Sequence, residues 1–202
     1  MTAYPRNDIT GLILAGGRAR RMGGRDKGLI EVNGKPMIEY ALAALELQAG
    51  QILINANRNL AHYAGYGHPV ISDELGDFQG PLAGIATAMA RITTPYLLTA
   101  PCDSPLLPKD LGVCLYRALT RAKADIAVAH DGLRMQPVFS LLKRKLLPSL
   151  MTFLEQGERK IDCWYARHSV AIADFTHHPD TFLNINTPEQ RRALARQLSK
   201  KG

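Results

Sequence analysis

Cysteine is scarce in this chain of 202 residues, and the three present, Cys102, Cys114 and Cys163, are widely spaced. An odd number at such spacing gives neither a disulfide framework nor a zinc-ligand set, so reduced and partly buried thiols are expected. Cys102 stands beside Asp103, but no histidine is positioned in the sequence to make it a nucleophile. No apolar run approaches the roughly 20 residues a membrane helix needs, and Met1 to Asp8 lack the apolar region of a signal peptide. The cytoplasm is therefore the expected compartment, no membrane partner is expected, and residues 1–8 read as a frayed tail. Aromatic residues are only 6% of the chain, and none of the common nucleic-acid motifs is present; no nucleic-acid partner is expected. His177 and His178 are adjacent rather than at the i, i+4 spacing of helical metal sites. His62, His68, His130 and His168 are scattered. Two familiar phosphate loops are missing as well. The Gly34-Lys35 pair is followed by Pro36 and cannot end a Walker A loop, and G-x-G-x-x-G is absent.

The apolar fraction of 46% and the charged fraction of 21% are ordinary for a globular protein. The length suits one domain with a full core, without internal repeats or low-complexity linkers. A net charge of +7 and a pI near 9.5 point toward acidic partners. That charge concentrates in two places. The C-terminal cluster, Arg191, Arg192, Arg196, Lys200 and Lys201, reads as the solvated face of a terminal helix. The other cluster, Arg18, Arg20, Arg21, Arg25 and Lys27, follows Gly16-Gly17, which in turn follows the apolar run Leu12 to Ala15. Paired glycines let backbone N–H groups converge on an anion. A glycine turn followed by five cations within ten positions suggests a polyphosphate site.

The rest of the chain alternates. Strands are expected at Leu29–Val32, Gln51–Ala56, Pro69–Ser72, Tyr96–Ala100 and Asp125–Ala129. Helices are expected from Pro36 through Leu47, from an Asn59 cap to about Ala64, after Pro81, and over 108–123. Short apolar strands separated by helices predict a mostly parallel sheet covered on both faces. Ligands bind such sheets beyond the carboxyl ends of the strands. Gly16-Gly17, Asn55, Asp73 and Asp103 all fall at those ends. Asp103 is a candidate magnesium ligand, since magnesium takes carboxylate and phosphate oxygens; Asp103 and Asp73 read otherwise as turn caps. Asn55 can donate and accept, as base or ribose recognition requires, or is a left-handed turn residue. Arg21 and Lys27 suit phosphate. In the second half, strands are expected at Pro137–Leu141 and Ser169–Ala173, with a helix near 143–155. Thr187-Pro188-Glu189-Gln190 makes a capping box for a last helix to about Leu198.

The pattern L-A-G-G-x-x-x-R-M-G-x-x-D-K from Leu14 to Lys27 resembles the signature loop of small α/β nucleotidyltransferases. The Gly-Gly pair and the Asp-Lys ending resemble most the molybdenum cofactor guanylyltransferases, the MobA family. Ile54 to Arg58, Gly80 to Gly84, Pro101 to Asp103 and Asn184 to Glu189 are similar to further family segments in family order. The resemblance implies a single α/β domain: a three-layer sandwich with a mostly parallel central sheet, of the Rossmann-like nucleotide-diphospho-sugar-transferase type. It implies a nucleotide-binding half at about 9–130 and an acceptor-binding half at about 131–202. It also implies that Leu14, Ala15, Gly16, Gly17, Lys27, Asn55, Asp73 and Asp103 bind GTP. Asp103 would hold Mg2+, Arg21, Lys27 and Asp103 would serve catalysis, and Asn184 and Asn186 would face the acceptor.

The implied reaction passes GMP from GTP to the phosphate of molybdenum-molybdopterin and releases pyrophosphate. Implied partners are GTP, molybdenum-molybdopterin and, transiently, other molybdenum-cofactor biosynthesis proteins or acceptor apoenzymes. Two other readings stay open at this point. One is a cytidylyltransferase or sugar-phosphate nucleotidyltransferase of the same fold, separable by base preference. The other is a non-catalytic GTP-binding sensor.

Overall fold

The structure, a computed structural model, describes residues 3–15, 26–73, 80–177, 179–183, 185 and 188–199. The described chain enters through residues 3–8. Arg6–Asp8 form a 3-10 turn. The Tyr4 hydroxyl donates to the Gln48 carbonyl at 2.5 Å, and its ring meets Tyr116 edge-on. An aromatic ring with a hydroxyl that reaches a carbonyl is enough to dock a short terminus.

Strand β1 (Ile9–Leu14) follows and is buried along nearly its whole length. A 3-10 turn at Lys27–Leu29 takes the place of the start of the expected strand. The pairing begins later, in the hairpin of β2 (Glu31–Val32) and β3 (Lys35–Pro36). Its turn is Asn33-Gly34, both at positive φ (52° and 74°), the conformation a two-residue hairpin requires. Pro36 therefore closes β3 and precedes α1 (Met37–Glu46) instead of opening the helix.

Next come β4 (Gln51–Asn55), α2 (Leu60–Ala64), β5 (Val70–Ile71), α3 (Pro81–Arg91) and β6 (Tyr96–Pro101). They are followed by α4 (Leu111–Arg121), β7 (Ile126–His130), β8 (Met135–Lys143), α5 (Leu147–Glu155), α6 (Ile161–Tyr165), β9 (Val170–Asp174) and α7 (Pro188–Ser199). The short helix α6 was not foreseen in the sequence. Among the described residues, seven strands make one sheet in the order β5-β4-β1-β6-β8-β7-β9. All neighbours are parallel except β8, which runs antiparallel to both β6 and β7. Its register against β7 jumps between Val128 and Ala129. That irregularity accommodates Pro137, which has no N–H to give a regular ladder.

Both faces of the sheet are covered. Ile38, Leu42 and Leu45 of α1 and Leu111, Leu115 and Leu119 of α4 pack with Ile13, Ile54, Leu98 and Phe139 on one side. Leu82, Ile85 and Met89 of α3, Phe153 of α5 and Trp164 of α6 pack with Leu12, Leu97 and Val128 on the other. Each large side chain buried in this way contributes about 1.5–3 kcal/mol of transfer free energy. A smaller cluster joins Leu194 of α7 and Ile185 to Ile30, Val32 and Met37. Among the described residues no helix is long and apolar enough to cross a membrane.

Candidate active site

Chain order fixes where the site lies. From β1 the chain moves outward to β4 and β5, then returns to the other side of β1 as β6. The strand order therefore reverses at β1, and ligands of open α/β sheets bind beyond the carboxyl ends at such a point. Sheet bonding runs one residue past the strand ends there. Ala15 donates its N–H to the Asn55 carbonyl at 2.8 Å, and Cys102 donates to Leu14 at 3.1 Å. The ends of β4, β1 and β6 are thus locked side by side.

Two clusters stand on this edge. In the first, Lys27, at the start of its 3-10 turn, reaches Asp103 just beyond β6, with Nζ 2.9 Å from Oδ2. The side chains are 26% and 10% exposed, so solvent and salt screen this pair less than a surface pair. In the second, Asn55 Nδ2 donates to Asp73 Oδ1 at 2.9 Å. Asn57 Nδ2 donates to Asp73 Oδ2 at 2.7 Å, and the Asp73 N–H donates back to Asn57 Oδ1 at 2.9 Å. Asn55 is a buried strand residue with ordinary φ, not a left-handed turn residue. On the opposite side of Asn55 lies Gly84 of α3. A Cβ there would overlap Asn55 Oδ1 and stand 2.7 Å from Asn55 Cγ.

Asp26 anchors the foot of the first cluster. Its carboxylate accepts from the Tyr63 hydroxyl at 2.6 Å and from Asn59 Nδ2 at 3.0 Å, with Arg58 Nε 3.4 Å away. The Asn59 side chain therefore serves Asp26 and does not cap α2 as its position suggested. Burial first, then Cys102 and the hydrogen bond to Asp26, hold the Tyr63 phenol far above its ordinary pKa. Cys102 is buried, and burial, with Asp103 and Asp26 adding, pushes its thiol well above the usual range. A thiol so placed stays protonated and is no nucleophile at neutral pH.

Of the residues singled out in the sequence, Leu14, Ala15, Lys27, Asn55, Asp73 and Asp103 come to one edge. Gly16, Gly17, Arg21, Asn184 and Asn186 lie outside the described residues. Ile185, between the last two, donates its N–H to the Asp103 carbonyl at 3.2 Å. Asn57, Asp26 and Tyr63 were missed. Asp26 and Asn57 had a signal, since Asp26 stands directly before Lys27 in the Leu14–Lys27 pattern and Asn57 falls in the Ile54–Arg58 segment; Tyr63 had none.

Asp103 suits a divalent cation. One of its hard oxygens takes Lys27, while Oδ1 accepts no hydrogen bond among the described residues. No three metal-type side chains converge among the described residues. A cation at Asp103 would therefore complete its shell from phosphate and water, which is magnesium's habit.

Comparison with known proteins agrees with this fold. The family profile of the MobA-like NTP transferase domain matches residues 11–172. A molybdenum cofactor guanylyltransferase of Shewanella sediminis is 53% identical over 192 residues, covering 95% of this chain and 98% of that protein. Among solved structures, the molybdopterin-guanine dinucleotide biosynthesis protein A of Archaeoglobus fulgidus superposes with a TM-score of 0.78 at 22% identity, covering 96% of this chain and all of that one. The 4-diphosphocytidyl-2C-methyl-D-erythritol synthase of Anaerococcus prevotii shares the fold at 13% identity, with a TM-score of 0.73 and coverage of 97% and 98%. The chain belongs to the MobA-like NTP transferase family, alongside proteins named molybdenum cofactor guanylyltransferase.

Proposed function

We propose that this protein transfers GMP from GTP to the phosphate of molybdenum-molybdopterin, giving the molybdopterin guanine dinucleotide and pyrophosphate. The observation that carries the reading is the Lys27–Asp103 pair at the point of strand reversal, in a chain whose relative at 53% identity is a guanylyltransferase. A phosphate monoester has its second pKa near 6, so the acceptor is largely a dianion at neutral pH. It needs no strong protein base, which suits a site whose thiol and phenol are both held protonated. The physical difficulty is bringing two polyanions together. Lys27 exchanges the Asp103 carboxylate for phosphate oxygens of the incoming triphosphate and stabilises charge on the departing pyrophosphate. Arg21 and the backbone of Gly16-Gly17 take the same role on the loop, by family resemblance. Magnesium held by Asp103 would screen the remaining repulsion and favour the leaving group.

Asn55 and Asp73 bind the nucleoside, and Leu14 and Ala15 line it with backbone. The division into a nucleotide half at 9–130 and an acceptor half at 131–202 belongs to the same reading. So do acceptor contacts from Asn184 and Asn186, cytoplasmic residence, and transient contact with other cofactor-biosynthesis proteins or acceptor apoenzymes. The bond from Ile185 to Asp103 supports the acceptor assignment, because it ties the C-terminal segment to the nucleotide edge.

The test is pyrophosphate release from GTP with molybdenum-loaded molybdopterin, in wild type and in Asp103→Ala. The variant is expected to retain its melting temperature within a few degrees and to lose at least about 100-fold in rate, the scale of losing a preorganised charge partner. Asp103→Ala at wild-type rate would contradict the assignment.

A further inference from the structure

We propose that Asp26 is a positioning residue for Lys27: Tyr63, Asn59 and Arg58 grip its carboxylate and so fix where the Lys27 ammonium can reach. The inference rests on the reading of Lys27 as a phosphate ligand. Asp26 is 8% exposed, and burying a carboxylate is costly unless donors compensate it. Among the described residues, the compensating groups all come from one short segment, Arg58, Asn59 and Tyr63. A packed apolar residue would have served folding alone at less cost.

The next residue but one is held from the same side. A Cβ on Gly28 would lie 2.7 Å from Tyr63 Oη and 3.2 Å from Cys102 Cβ. The Lys27 backbone is thus flanked by a carboxylate bonded to Tyr63 and a glycine pressed between Tyr63 and Cys102. Lysine is a point charge on a flexible four-carbon stem. Its reach is defined only if its Cα is fixed. Asn59 adds a local cost of its own, sitting at φ 52° in the left-handed region while its side chain turns to Asp26 and not to its own helix. Strained backbone of this kind persists where surrounding contacts over-determine it.

The experiment measures steady-state pyrophosphate release from GTP with the pterin acceptor for Asp26→Asn, Tyr63→Phe, Lys27→Ala and each of the first two combined with Lys27→Ala. Misplacement by about 1 Å can cost about 100-fold. Asp26→Asn is therefore expected to lower kcat about 10- to 100-fold, and Tyr63→Phe, which keeps the ring and removes one donor, several-fold. Both double variants should be no slower than Lys27→Ala alone, because Asp26 and Tyr63 act only through Lys27. A generally loosened fold would instead slow the Lys27→Ala background further. If Asp26→Asn does not fold, Tyr63→Phe with its double variant decides the matter. Wild-type kcat in Tyr63→Phe and Asp26→Asn beside an impaired Lys27→Ala would overturn the clamp and leave the function standing. Multiplicative losses would overturn it equally. Wild-type kcat in Lys27→Ala would instead strike at the functional reading beneath it.

Discussion

At the scale of single residues, the site is a set of carboxylates each held by a different device. Asp103 has an ammonium, Asp73 has two amides, and Asp26 has a phenol, an amide and a guanidinium. Asn57 is the cleanest of these to remove. It both donates to Asp73 and accepts from its backbone, and it is absent from the set of nucleotide ligands read in the sequence. Asn57→Ala is expected to raise the KM for GTP about tenfold with little change in kcat. That is the scale of one charge-assisted hydrogen bond of about 1.5 kcal/mol. Steady-state kinetics in GTP checks it; an unchanged KM would show that Asp73 needs no such support. Lys27, Asn55, Asp73 and Asp103 were legible because each lies in a motif or at the end of an apolar strand. Tyr63 was not, because it lies in no such segment and meets Asp26 from 37 residues away in the chain.

At the scale of elements, local chemistry read well where one residue type dictates one conformation. Asn33-Gly34 is a hairpin turn and Pro81 opens α3, as their residue types require. It failed where a side chain had a better partner elsewhere, as with Asn59. It failed also at α6, whose five residues are too few to show a period, although Trp164 and Tyr165 anchor it in the core. The contact between α3 and β4 makes a separate prediction. Alanine is favoured over glycine by about 1 kcal/mol in a helix, but the Gly84 site has no room for a Cβ. Gly84→Ala is expected to destabilise the fold and weaken GTP binding together, by displacing Asn55; a rise in melting temperature with unchanged affinity would be the contrary result.

The start of β7 carries a pH-dependent tie. Asp125 is paired with Lys145 at 2.8 Å and Lys143 at 3.1 Å. The Lys145 hydrogen bond is the largest influence; burial opposes it, Lys143 and Ser169 assist, and the carboxyl is held at about 2. The unfolded value is about 3.9. A carboxylate depressed on folding stabilises the native state above its unfolded pKa, and that stability is lost as pH falls toward its folded one. Wild type should therefore lose this contribution between about pH 4 and pH 2. Asp125→Asn should be less stable at neutrality and show a shallower acid limb in urea unfolding at a series of pH values. Parallel curves would remove the tie from the account.

At the scale of the molecule, the alternation of apolar strands and helices was enough to read a mostly parallel sheet with the candidate site residues at its carboxyl edge. The antiparallel β8 was not readable, since pairing direction leaves no mark on a short apolar run. Nor was the return of α7 to the β2–β3 hairpin, where Asn33 Nδ2 donates to the Ala195 carbonyl at 3.0 Å. That return joins Leu194 and Ile185 to Ile30, Val32 and Met37.

The same fold serves proteins named for cytidylyl products, so the sheet alone does not set the reaction. The decisive measurement is the product formed from GTP, CTP, ATP or UTP in turn, each with magnesium, with and without molybdenum-loaded molybdopterin. The account predicts a guanine dinucleotide and stoichiometric pyrophosphate only when GTP and the pterin are both present. A cytosine dinucleotide formed in preference, or tight GTP binding with no product while a known transferase turns over the same acceptor, would contradict it.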